Sequence, residues 1–266
     1  MRLRVITGVV LVAVAVAALW AGGIAFAGLV AAAVLVMFNE WAAMHRLPTL
    51  LRRLGLAVLA LVVWLVAVRG NTQEGLMLLG GGAGLAGLFA ARLQKGVDRG
   101  AGRAMMLGLL YCGLPAVALV WLRGLPWGFY ATLFVMAVVW GADIAAYFTG
   151  RAIGGPKLAP SISPNKTWSG AAGGLAGALI VAGIMMLVWP GYNGVPGALR
   201  LMALAVPLAV ASILGDLFES ALKRRAGVKD SGPLLPGHGG VMDRLDGLVP
   251  AAVVGAAAFA ATGWAG

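Results

Sequence analysis

The sequence predicts an all-α fold, a polytopic integral membrane helical bundle of about nine transmembrane helices. Three observations predict it. Of 266 residues, 61% are hydrophobic and the mean hydropathy is +0.95, which leaves too few polar side chains to cover a soluble globule of this size. The apolar residues fall in long runs almost free of charge, near the roughly 20 residues that a helix needs to cross a bilayer. The basic residues are unevenly divided between the connections. The 41 glycines suit helices that pack closely in lipid, and uncharged runs of this length exclude the short alternating strands of a membrane barrel. Cys112 is the single cysteine, so an internal disulfide is excluded and a buried spectator thiol is expected. A net charge of +11 would suggest nucleic acid in a soluble protein, but here topology signals and anionic headgroups account for it and no nucleic-acid partner is expected.

In order, the apolar runs cover about 5–20, 22–44, 54–68, 75–91, 104–122, 127–149, 170–189, 200–222 and 248–264, the third and fourth lying nearest the lower length limit for a span. With nine crossings, the N-terminus and the connections after even-numbered helices share one side. Only Arg69, Arg123 and Arg200 fall on the other, so the crowded side is expected to be cytoplasmic. Met-Arg-Leu-Arg followed by an apolar run also has the form of a secretory leader, but the run continues into the next apolar segment without a polar cleavage region. The organisation expected is a single membrane domain over 1–266, with N-terminal helices over 1–125 and catalytic helices and cytoplasmic loops over 126–266.

The second helix ends in Asn39, Glu40, Trp41 and His45. Glu40 lies near Arg46, Arg52 and Arg53, so an interfacial ion pair is expected. Trp20, Trp41, Trp64, Trp121, Trp127 and Trp189 lie near helix ends, where indoles favour the headgroup zone. Gly80, Gly81, Gly82 and Gly84 superficially imitate a phosphate-binding loop, yet no Lys-Ser or Lys-Thr follows and no strand precedes them, so helix packing is expected.

Chemistry enters at helix six. Asp143 and Tyr147 are four residues apart and share a face, and an aspartate in an apolar span should point toward a cation or a donor. The following loop carries Gly154, Gly155, Lys157, Ser161, Ser163, Asn165, Lys166, Thr167 and Ser169, hydroxyls, amides and lysines suited to phosphate oxygens near a helix N-terminus. An ordinary polar turn capping helix seven fits that stretch equally well. On helix eight, Asp216, Glu219, Ser220 and Lys223 lie along one stripe. Two acids and a hydroxyl make a hard, oxygen-rich site suited to Mg²⁺, with a lysine beyond for phosphate. An internal Glu219–Lys223 salt bridge explains two of these residues and leaves Asp216 without a partner. Beyond the helix, Pro236-Gly237-His238-Gly239-Gly240 can bring backbone amides to a ligand. Asp243 and Asp246, three apart at the entry of helix nine, can meet one cation or flank two, or can serve as helix cap and dipole partner. Beside the acids of helix eight they read as the other half of one metal site. Alternating acids and bases suit a metal triphosphate better than a bare cation.

Ser220-x-Leu222-Lys223-Arg224, then Lys229-Asp230, Leu235-Pro236-Gly237-His238-Gly239-Gly240 and Asp243-Arg244-x-Asp246 resembles the signature of the phosphatidate cytidylyltransferase family, the CDP-diglyceride synthases. Asp143 with Ala146-Tyr147 and Gly150-Arg151, and Ser163-Pro164-Asn165-Lys166-Thr167-Trp168, agree with it. Ser169 departs from it, where glutamate is expected after the tryptophan. The motifs cover the C-terminal half; the rest is alike in architecture. The resemblance implies transfer of a cytidylyl group from CTP to phosphatidate, giving CDP-diacylglycerol and pyrophosphate for phospholipid synthesis. It implies Asp216, Asp243 and Asp246 as metal ligands, for Mg²⁺ with room for a second cation. Ser220 would stand close by. Lys223, Arg224, Lys229 and His238 would act with Asp243 and Asp246 on the phosphates, and Ser163, Lys166, Thr167, Arg244 and Tyr147 would bind substrate. The implied partners are CTP, phosphatidate and membrane lipid, with a homodimer compatible. The implied location is a bacterial inner membrane with the site facing the cytoplasm. A CTP-dependent transferase acting on another membrane lipid, or an ion transporter, are the alternative readings.

Overall fold

The computed structural model describes residues 2–92, 99–190, 195–234 and 239–262. Among these, the helices are α1 (Arg2–Ala21), α2 (Gly23–Met44), α3 (Thr49–Arg69), α4 (Thr72–Arg92), α5 (Arg99–Gly124), α6 (Gly128–Ile153), α7 (Trp168–Val188), α8 (Val195–Ala226), the single turn α9 (Met242–Leu245) and α10 (Leu248–Ala261). Two short strands, β1 (Lys157–Ala159) and β2 (Ser163–Thr167), separate α6 from α7. Among the described residues, each expected apolar run coincides with a helix. Six of them, α2, α3, α5, α6, α7 and α8, contain segments long and apolar enough to cross a membrane. Two further apolar stretches, Thr7–Ala21 and Leu248–Ala261, are shorter over their described residues. α4 carries Glu74 in its first turn and six glycines.

The chain forms two compact units, Met1–Gly124 with Ala226–Arg244, and Leu125–Arg225 with Leu245–Gly266. In the first, α2 packs on α3 and α5, and α4 on α3 and α5. Small residues make room for large ones there. A Cβ on Gly55 or Gly108 would overlap Phe38 or Trp41, both fully buried. The Trp41 indole stacks on His45 and Tyr111 and donates to the Ala104 carbonyl at 2.8 Å. It is therefore a core residue and not a headgroup anchor, because a hydrogen-bonded indole loses nothing on burial. Gly80, Gly81 and Gly84 have open space where a Cβ would stand, so close packing does not explain them.

In the second unit, α6 and α7 meet along a glycine seam. A Cβ on Gly177 would lie 2.6 Å from the Gly141 carbonyl oxygen, and one on Gly174 3.2 Å from that of Ala142. Helices this close gain dispersion contacts along their backbones, the main attraction available between helices in lipid. α10 packs on α6, and Trp189 is buried among Tyr130, Phe134 and Phe259. It too is core rather than interfacial. The hairpin pairs Lys157 with Thr167 and Ala159 with Ser163. Sequence alone predicts a loop here, because a five-residue strand containing Pro164 and Asn165 has poor strand propensity.

Candidate active site

The second unit gathers acids and bases at three places. The first is the hairpin, which ends at the start of α7. The Thr167 hydroxyl caps α7 by accepting from the Gly170 N–H at 3.1 Å and lies 3.0 Å from the Ser169 hydroxyl. Ser169 in turn donates to the Gly154 carbonyl. The polar turn thus does cap the helix, and the hydroxyl at 169 ties both ends of the hairpin connection together. Lys166, one residue before the cap, reaches α8. Its ammonium lies 2.6 Å from an Asp216 carboxylate oxygen.

The second place is α8, where Asp216, Glu219, Ser220 and Lys223 do share a stripe of one helix. Ser220 Oγ lies 3.4 Å from Asp216 Oδ1. Glu219, fully buried, pairs with Lys223 at 2.8 Å. Asp216 also has a partner, contrary to the expectation from helix spacing alone, because Lys166 comes from a distant part of the sequence. Arg224 is exposed at the end of α8, where a cation favours the helix dipole.

The third place is the junction of α9 and α10. Asp246 sits between these helices and accepts from the Gly247 N–H at 2.8 Å. Gly215 lets α8 approach here, since a Cβ would collide with the Asp246 carbonyl oxygen. Loss of water around the Asp246 carboxyl, then the Asp216 carboxylate, and more weakly that of Asp143, push its pKa up from 3.8 to about 7; the Gly247 N–H and Lys166 oppose the rise. The Asp216 carboxylate disfavours ionisation of Asp246, and both are hard oxygen donors, so the pair fits a divalent cation that would relieve the repulsion. Among the described residues, no three His, Cys, Asp or Glu side chains converge as a metal-binding group. Tyr147 is exposed, and its hydroxyl accepts from Arg151 at 2.9 Å.

The first unit holds the polar segment 226–244. Asp243 Oδ2 accepts from the Ser231 N–H at 2.9 Å, the Ser231 hydroxyl at 3.0 Å and the Gly240 N–H at 2.8 Å. Gly239, at φ +80°, turns the chain so closely over Asp243 that a Cβ would lie 2.5 Å from Oδ2. Ser231, Val241 and Met242 of the same segment bind Glu40. Its carboxylate accepts from the Val241 N–H at 2.8 Å, the Met242 N–H at 2.8 Å and the Ser231 hydroxyl at 3.0 Å. Glu40 is therefore buried within this unit, and the expected ion pair with Arg46, Arg52 or Arg53 is not what it makes. Lys229 and Arg244 are exposed. His238 lies outside the described residues.

The structure thus brings Lys166, Asp216, Ser220 and Asp246 together in one unit, and Glu40, Ser231 and Asp243 in the other. Sequence reasoning missed Ser231 and misassigned Glu40. The available signal was a single acid in an otherwise apolar helix, which calls for a buried donor.

Comparison with known proteins gives the constellation a relationship. A family model described as the cytidylyltransferase family matches residues 2–262. A phosphatidate cytidylyltransferase of Brucella suis biovar 1 (strain 1330) is 45% identical over 262 residues, covering 96% of this chain and 91% of its own length. The protein of the same name from Pseudomonas aeruginosa is 46% identical over 164 residues, 61% of this chain and 59% of its own, and that from Haemophilus influenzae is 46% identical over 127 residues, 47% of this chain and 43% of its own. Matched along almost its whole length, the chain belongs to the cytidylyltransferase family.

Proposed function

We infer that this membrane enzyme transfers the cytidylyl group of CTP to phosphatidate, producing CDP-diacylglycerol and pyrophosphate. The observation that carries the reading is the 45% identity, across 96% of the chain, to a protein named phosphatidate cytidylyltransferase. The geometry supplies a reason. An anionic phosphatidate oxygen attacks the α-phosphorus of CTP, a new P–O bond forms, and the bond to the β-phosphate oxygen breaks with its electron pair leaving on pyrophosphate. No strong base is needed; the difficulty is to bring two anions together and hold them in line. Cationic side chains and oriented amides meet that demand.

Asp216 and Asp246 are the carboxylates proposed to hold Mg²⁺, and the Asp243-Arg244-x-Asp246 pattern assigns Asp243 the same role. When bound, the cation would neutralise triphosphate charge and favour departure of pyrophosphate. Lys166 is proposed to exchange its Asp216 partner for a substrate phosphate, with Ser163, Thr167, Tyr147 and Arg244 assigned to substrate by the sequence pattern. Lys223, Arg224, Lys229 and His238 are assigned to the phosphates, and Ser220 stays beside Asp216. Entry of CTP from the cytoplasm and of phosphatidate from the inner leaflet of a bacterial inner membrane follows from the basic asymmetry of the connections.

The test is release of labelled pyrophosphate from CTP by purified protein in detergent. Release is expected only with phosphatidate and Mg²⁺ together, and should stop with EDTA. Release that proceeds equally without phosphatidate, or only with another lipid acceptor, overturns the substrate assignment.

A further inference from the structure

Glu40 is an acid near the end of an apolar helix, and no part of the transfer chemistry uses it. It is buried, yet both oxygens are occupied. Oε1 takes the Val241 N–H at 2.8 Å; Oε2 takes the Met242 N–H at 2.8 Å and the Ser231 hydroxyl at 3.0 Å. These donors lie some 190 to 200 residues away in sequence and belong to the segment carrying Lys229, Asp230 and Asp243. Two glycines of that segment leave room for the carboxylate. A Cβ on Gly232 would stand 2.9 Å from Glu40 Oε1, and one on Gly240 2.6 Å from it. The Ser231 hydroxyl has one proton and two carboxylates within 3.0 Å, Glu40 on one side and Asp243 on the other. Whatever sets the place of Ser231 therefore sets the place of Asp243.

We propose that Glu40 is a positioning residue for the transfer reaction: its carboxylate clamps Ser231, Val241 and Met242 and, through Ser231, fixes the rotamer and the hydrogen bonding of Asp243. It touches no substrate. A carboxyl group suits this place because its two oxygens can collect two backbone N–H groups and a hydroxyl at once. In a Glu40→Gln variant, either orientation of the amide turns an NH₂ group toward at least one of the Val241 and Met242 N–H donors, leaving that donor buried without an acceptor. Groups of this kind, which orient a ligand without touching the reacting atoms, typically cost 10- to 100-fold in affinity or activity when removed.

The part of the proposal concerning turnover rests on the assigned reaction and on Asp243 serving it; the clamp itself does not. The experiment has one arm for each. Tryptic cleavage after Lys229 in detergent-solubilised protein, timed by mass spectrometry, reads the clamp without substrate. Glu40→Gln is expected to speed cleavage there about tenfold while cleavage after Arg52 and Arg53 keeps its wild-type rate. In the second arm, Glu40→Gln is expected to lower kcat about 10- to 100-fold and to raise the half-saturating Mg²⁺ concentration about tenfold, with KM for CTP changed less than threefold. Ser231→Ala, which removes only the bridging hydroxyl and keeps the backbone bonds, is expected to show the same kcat and Mg²⁺ pattern more mildly. That variant decides the question if Glu40→Gln does not fold. Wild-type cleavage after Lys229 in Glu40→Gln overturns the clamp. Unchanged kcat and Mg²⁺ dependence in Ser231→Ala overturns the link to Asp243. A wild-type protein lacking CTP-dependent activity while the proteolysis contrast stands would overturn the assigned reaction and leave the clamp in place.

Discussion

Asp246 combines opposing influences at one carboxyl. Loss of water and the neighbouring Asp216 carboxylate raise its pKa to about 7, so without a cation it is partly protonated at neutral pH. A cation held there as proposed would have to displace that proton, which would couple its binding to pH. Below about pH 7 the half-saturating Mg²⁺ concentration is expected to rise, by as much as about tenfold per pH unit, and above it to level off, because the carboxylate is then already ionised. Titrating Mg²⁺ against pyrophosphate release from pH 5.5 to 8.5 checks this. A flat profile would remove Asp246 from cation binding. Asp246→Asn is expected to lower turnover at least about 100-fold with the elution profile in detergent unchanged, since amide for carboxylate keeps the shape and loses the charge. These residues were legible in the sequence because charge is conspicuous in a chain only 11% charged. Their partners were not. Spacing along one helix pairs Glu219 with Lys223, but it cannot say that Lys166 closes on Asp216 or that Ser231 closes on Asp243, since both contacts are made only by tertiary folding.

At the scale of elements, the helices were legible because an apolar run near the length of a membrane crossing has no other way to satisfy its backbone. The glycines were not, since their role depends on which helix they meet. Gly177 faces the Gly141 carbonyl and the Ala145 side chain, where a Cβ would stand 2.6 Å and 2.5 Å away. Backbone cannot yield as a flexible side chain does. Gly177→Ala is accordingly expected to destabilise the α6–α7 pair by about 1–3 kcal/mol and to lower the midpoint of thermal aggregation in detergent. Gly183→Ala, on the same helix with nothing within 4 Å, supplies the control and should leave the midpoint unchanged or raise it, as alanine is the better helix former. Equal midpoints for both variants would show that the seam contributes nothing. The hairpin escaped sequence reading for a related reason. Lys157–Ala159 and Ser163–Thr167 are too short and too polar to announce strands, and what holds them is the pairing itself and the Thr167 cap on α7.

For the whole molecule, the fold and the placement of charge depend on one another. Among the described residues, six helices have the length and hydropathy to span a membrane, and the basic residues in the connections fall mostly on one side of the sequence-derived topology. Arg225 lies in the last turn of α8, just before the segment that carries Lys229 and Asp243, whereas Arg69 ends α3 on the sparsely charged side. Both are exposed, and neither has a part in the chemistry. The native Cys112 is fully buried, so it gives little background to a membrane-impermeant maleimide. In intact spheroplasts, Arg69→Cys is expected to label and Arg225→Cys to remain unlabelled until the membrane is permeabilised. The contrast has a mechanistic stake. CTP carries several negative charges and does not cross a bilayer, so the transfer can be supplied only if the end of α8 opens toward the side that holds the nucleotide. Labelling of Arg225→Cys from outside would reverse the orientation and with it the route of CTP, whereas labelling only after permeabilisation joins the nucleotide, the basic end of α8 and the lipid substrate on one surface.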